Sequence, residues 1–215
     1  SRTCVKYDIR MYVDPGVSVE IIGGTIACDV NLYGHVAGSG TLTLTGSGLK
    51  NQITGTTLLV APNVVFRNAP GVENNPQPWL AGGAITVNGN VTFVDEFKAW
   101  NTTHTIAGTT TFSGPTFKLV NGDTLALGAV NAANSVAVTV TGGTLTFNGK
   151  TSIAGGKTLE IPAERVAIGG NATFELADFG AKLVDNGGLV AEGKVTTPIT
   201  KGAKIAITTE GSKNL

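Results

Sequence analysis

A chain of 215 residues with 15 basic and 15 acidic side chains has no net charge, which argues against nucleic acid as a partner. Gly at 30 residues, with 14% charged and 6% aromatic side chains, describes many short strands joined by tight turns rather than helices. No run approaches the roughly 20 apolar residues of a membrane-spanning helix, so no membrane insertion is expected, and residues 1–215 read as one all-β domain.

The chain begins at Ser1 rather than Met, which reads as a processed product or an excised fragment. Residues 1–37, with Tyr7, Met11, Tyr12 and Tyr33, are less repetitive than the rest and are expected to form an N-terminal cap. Cys4 and Cys28 lie close to one solenoid turn apart. That separation suits a disulfide stapling the first turn in an oxidising compartment, and it suits equally two small buried apolar side chains. His35 and His104 are isolated from the cysteines and from each other, so neither a metal site nor a cofactor is expected.

From about Thr41 onward, Thr and large apolar residues alternate between glycine steps. The clearest copies run from Thr139 to Phe147, from Ile153 to Ile161 and from Ile168 to Leu176, each with a Gly-Gly pair. Apolar pairs two residues apart mark the inward face: Leu42 and Leu44, Val91 and Phe93, Leu125 and Leu127, Leu145 and Phe147, Leu159 and Ile161, Phe174 and Leu176. Taking each pair as one rung, the step from Leu125 onward is roughly 14 to 20 residues. A unit this short buries its apolar face only by stacking on its own copies, so a parallel β-solenoid (β-helix) is expected. The alternative is an antiparallel sandwich or meander. Asn88-Gly89 between two alternating runs is a signal for a two-residue type I′ hairpin, and Gly142-Gly143 admits the same reading.

The run from Gly142 to Leu159 resembles the coils of β-helical surface proteins, among them bacterial autotransporter and haemagglutinin-like passengers and phage tailspike or fibre domains. Phe66-Arg67-Asn68-Ala69 and Gly82-Gly83-Ala84-Ile85 look like the repeats of polymorphic outer-membrane adhesins, at this one place. The general likeness covers 41–195 and implies an extracellular, cell-surface or virion-surface location. It carries over no catalytic residue.

The segment 67–104 interrupts the pattern. Prolines between Asn68 and Trp79 deny it regular ladder bonding, so a protruding loop is expected, and loops on rigid scaffolds are where binding tends to sit. The candidate binding residues are Trp79, Trp100, Phe97, Asp95, Glu96 and His104. The two indoles offer flat faces to a sugar ring or a partner subunit, or else pack the loop onto the solenoid wall. Asp95 and Glu96 invite a glycosidase reading, but neighbours on a strand point to opposite faces, which favours a solvated turn. No nucleophile elbow accompanies either histidine, so no catalytic set is expected. The final segment, 198–215, reads as a C-terminal cap or as an arm that adds to a neighbouring subunit.

These features lead to the expectation of a non-enzymatic structural or adhesive subunit of a stalk, spike, fibre or filament. It would be homo-oligomeric, as a trimer or filament, with a surface glycan or receptor as partner. The alternative is a polysaccharide-binding or polysaccharide-degrading tailspike-like solenoid. A remote alternative is ice binding, suggested by Thr-x-Thr pairs such as Thr41-Leu42-Thr43 and Thr139-Val140-Thr141. Against it, the pairs are not in constant register, and Lys157, Glu160, Glu175 and Lys182 interrupt where a flat face should be unbroken, so Thr reads first as a good solvent-facing strand residue.

Overall fold

The computed structural model describes residues 10–45, 48–53, 55–67, 78–94, 96–120, 122–162, 165–178, 180–185 and 188–193. Cys4, Asp95, most of the Pro-rich stretch after Asn68 and the C-terminal segment 198–215 lie outside the described residues.

Alternation of Thr with Leu, Val and Phe produces strands of three to ten residues, most of them broken by Gly, Asn or Ser at a corner. In chain order the strands are β1 (Arg10–Val13), β2 (Ser18–Ile21), β3 (Thr25–Ala27), β4 (Asp29–Leu32), β5 (His35–Gly38), β6 (Thr41–Thr45), β7 (Gly48–Asn51), β8 (Leu58–Val60) and β9 (Asn63–Arg67). They continue with β10 (Trp79–Gly82), β11 (Ile85–Val87), β12 (Val91–Phe93), β13 (Glu96–Ala99), β14 (Thr103–Phe112), β15 (Thr116–Val120), β16 (Thr124–Ala132) and β17 (Val136–Val140). The last are β18 (Thr144–Phe147), β19 (Lys150–Ile153), β20 (Thr158–Ile161), β21 (Val166–Ile168), β22 (Thr173–Leu176), β23 (Lys182–Asp185) and β24 (Gly188–Glu192).

Each strand pairs with one a full turn away, and the pairing is parallel throughout except for β24, which folds back antiparallel on β23. The result is a parallel β-solenoid with a 10-stranded sheet on one side and a 14-stranded sheet on the other. One turn takes 19 residues between Asp29 and Gly48, 22 between Glu96 and Lys118, and 23 between Ser135 and Thr158.

The apolar pairs are therefore sides of a turn rather than turns. Leu125 does lie opposite Leu145, but Leu159 belongs to the 10-stranded sheet and Phe174 stacks on Thr151 in the second column of the other sheet. Three such pairs close one turn, because three short strands are needed to bring the chain round. The hairpin alternative also falls. β11 and β12 flank Asn88-Gly89 without pairing to each other, and each bonds instead to the turns before and after. Gly143, at φ 75°, makes a corner between the two sheets.

Residues 10–37, expected as a cap, carry β1 to β5, which stack in parallel like the rest. Residues 79–104, expected within a loop, likewise carry the regular strands β10 to β13. The interior is a single stack of apolar side chains from Val13 to Leu183. At mid-height Phe66, Phe93 and Phe112 stack turn on turn, and Phe97 and Phe117 interlock from the opposite sheet.

Candidate binding surface

β10 and β13 are neighbours in the 10-stranded sheet, with Trp79 opposite Lys98 and Leu80 opposite Ala99. Leu80 and Ala99 are fully buried, so strand alternation turns Trp79, Lys98 and Trp100 outward. The indoles meet diagonally across the two strands, stacked with centroids 6.4 Å apart and planes 14° from parallel. Trp79 is half-buried, whereas Trp100 remains 37% exposed. Lys98 Nζ lies 5.3 Å from the Trp100 ring centroid, in reach of a cation–π contact.

The turn below makes room for this arrangement. Gly48 on β7 lies opposite Trp79, and a Cβ there would collide with the Trp79 carbonyl oxygen and its indole ring. Asp29 accepts the Gly48 N–H at 2.9 Å and reaches Arg10 at 4.0 Å. On the other flank, Glu96 pairs with Lys118 on the next turn at 3.1 Å. Both side chains are partly exposed, so the pair adds little stability and serves mainly to fix local charge.

His104 supports the site from inside. It has no exposed surface; its Nδ1 accepts the Ile85 N–H at 3.2 Å, which leaves Nε2 to donate to the Trp100 carbonyl at 2.9 Å. Burial pushes its pKa below the usual histidine range, against the opposing effects of the Trp100 carbonyl and the Asp123 charge. The imidazole is thus a neutral clip on the backbone of Trp100, not a surface ligand. Phe97 is equally enclosed, packed edge-on against Phe66 and Phe93.

Of the six sequence candidates, the structure brings Trp79, Trp100 and Glu96 to one outer face and places Phe97 and His104 in the core. Asp95 lies outside the described residues. Lys98 and Gly48 were missed. Lys98 was legible in principle, being two residues before Trp100 in an alternating run, but Gly48 becomes relevant only through the register. Cys28 is half-buried and packs against the core, and burial raises its thiol pKa.

Two shallow surface depressions, one beside Thr144 and Arg165 and one beside Asn63, Asn90 and Asn131, have no carboxylate in their lining. Among the described residues no three His, Cys, Asp or Glu side chains gather as metal ligands, and no helix is long and apolar enough to cross a membrane. Comparison with protein-family models, curated proteins and solved structures finds no match to this chain.

Proposed function

We propose that this chain is a non-catalytic structural or adhesive solenoid of an extracellular, cell-surface or virion assembly, attaching through the face formed by Trp79, Lys98 and Trp100. The observation that carries this reading is the outward indole stack on the 10-stranded sheet, with a lysine ammonium beside it. A stacked, partly exposed Trp pair presents apolar area suited to the C–H face of a sugar ring, and the Lys98 ammonium supplies donors beside it. Neighbouring Glu96 is engaged by Lys118, which suits a binding rim better than a general acid.

Assembly is the second half of the proposal. A stack of parallel strands extends in one dimension, and its terminal strands are templates for pairing with another copy. Among the described residues β1, β2 and β3 each pair on one side only.

Glycan-array binding of the intact protein, repeated with Trp79→Ala and Trp100→Ala, tests the attachment, with light scattering across concentration testing assembly. Selective glycan binding lost in both variants is the expected result. Binding that survives both substitutions, a strictly monomeric protein, or reproducible cleavage of a bound polysaccharide overturns the reading.

A further inference from the structure

Charge is divided between the two sheets. The outer positions of the 10-stranded sheet include Arg10, Asp29, Lys50, Glu96, Lys98, Lys118, Glu160 and Lys182, so charges recur along its length. Of the residues that seemed to break a flat Thr face, Glu160 and Lys182 stand on this sheet and Lys157 at the corner leading into it. Glu175 alone lies on the 14-stranded sheet, near its C-terminal end, where it pairs with Lys150.

Between β11 and β18 the outer surface of the 14-stranded sheet carries no charged side chain. Its residues fall into rows that the sequence scatters. Thr86, Thr105, Ala126 and Thr146 are successive partners along one row. Thr103, Thr124 and Thr144 form a second. In the other column Thr92, Thr111 and Asn131 form a third. The pairs Thr103/Thr105 and Thr144/Thr146 thus share a register across turns, whereas Thr41 and Thr43 face Asn63 and Val65 and Thr139 lies on the 10-stranded sheet.

We propose that this outer surface of the 14-stranded sheet binds ice. An ice surface is a neutral, regular lattice of hydrogen-bond donors and acceptors, and a charged side chain holds a hydration shell that does not fit it. Parallel strands repeat at about 4.8 Å, and alternate residues on one strand at about 6.6 Å, spacings on the scale of oxygen repeats in ice planes. Thr supplies a hydroxyl to join the lattice and a methyl to order water beside it, on a side chain stiff at χ1. The backbone beneath is pinned: Asn63 Oδ1 accepts the Asn90 N–H and Asn90 Oδ1 accepts the Thr109 N–H, each at 3.1 Å. This surface is on the opposite sheet from the indole pair, so the two readings stand or fall separately.

The test is thermal hysteresis together with partitioning of the intact protein into a slowly grown ice hemisphere. Thr105→Lys and Thr111→Lys place charges in mid-face, and Thr116→Lys places one at an exposed position of the 10-stranded sheet. The expected result is measurable hysteresis and ice uptake, reduced at least several-fold by either mid-face variant and retained by Thr116→Lys, all three keeping the β-sheet circular dichroism of the parent. No uptake by the parent protein overturns the proposal. So does an equal loss in Thr116→Lys, or binding to crystalline polysaccharide with none to ice. Should a mid-face lysine prevent folding, Thr105→Tyr and Thr111→Tyr, strand-forming residues that project from the face, take their place: a several-fold loss of hysteresis and uptake is expected, and unchanged uptake in both overturns the proposal.

Discussion

His104 Nδ1 accepts the main-chain N–H of Ile85, its neighbour one turn below, at 3.2 Å, while its Nε2 donates to the Trp100 carbonyl. A protonated ring would lose the acceptor and bury a charge. The folded pKa is lowered from 6.5, so near and below that pH the unfolded chain binds the proton more readily than the folded one. The stability is present above pH 6.5 and is lost as pH falls towards the folded value. Thermal unfolding followed from pH 7.5 to 5.5, above the range where carboxylates take up protons, should show a falling Tm. Replacement by Gln, which keeps one donor and one acceptor, should flatten that slope.

Phe93 is the hub of the aromatic stack, in ring contact with Phe66, Phe97, Phe112 and Phe117. Truncation to Ala leaves a cavity that a stack hydrogen-bonded above and below cannot collapse to fill. Phe93→Ala should cost about 3–5 kcal/mol in denaturant melts, and Phe93→Leu distinctly less.

Two glycines separate backbone strain from steric exclusion. Gly156, at φ 67°, has open space where a Cβ would project, so Gly156→Ala should cost only the left-handed penalty of about 1–2 kcal/mol. Gly143, at φ 75°, would drive its Cβ into the carbonyl oxygens of Gly122 and Asp123 on the turn below. Gly143→Ala should cost at least about twice as much, since the ladder beneath cannot move aside. Paired urea melts of the two variants give the comparison.

Thr110 and Thr151 point inward with buried hydroxyls that have no hydrogen-bond partner. Each sits beside Val130 in an otherwise apolar column. Thr110→Val and Thr151→Val should each raise stability by about 1 kcal/mol, read as a higher denaturation midpoint with unchanged slope.

Asn51 ties down the corner that follows β7. Its Nδ2 donates to the Thr56 and Ala84 carbonyls and its Oδ1 accepts the Ile53 N–H. Asn51→Ala should cost about 2–3 kcal/mol, and amide exchange should speed up at Ile53 in particular.

What the sequence determined by itself was the local geometry. Alternation at Thr144 to Phe147 or Thr158 to Ile161 makes a strand with one apolar face, and the glycines between such runs make corners. Together they required copies to stack, and they brought Trp79 and Trp100 forward as the large side chains of an irregular region. Prolines near Trp79 argued for a loop, which hid the regular strands on which Phe97 and His104 turn inward. Only the tertiary structure decided how many strands make a turn, because partners 16 to 31 residues apart, as Thr25 and Thr41 or Gly48 and Trp79 are, have no local signature. The same register stacked Trp79 diagonally on Trp100 over Gly48 and drew scattered threonines into uncharged rows. Position on a face is a property of pairing between turns, and the chain fixes that pairing only when it closes.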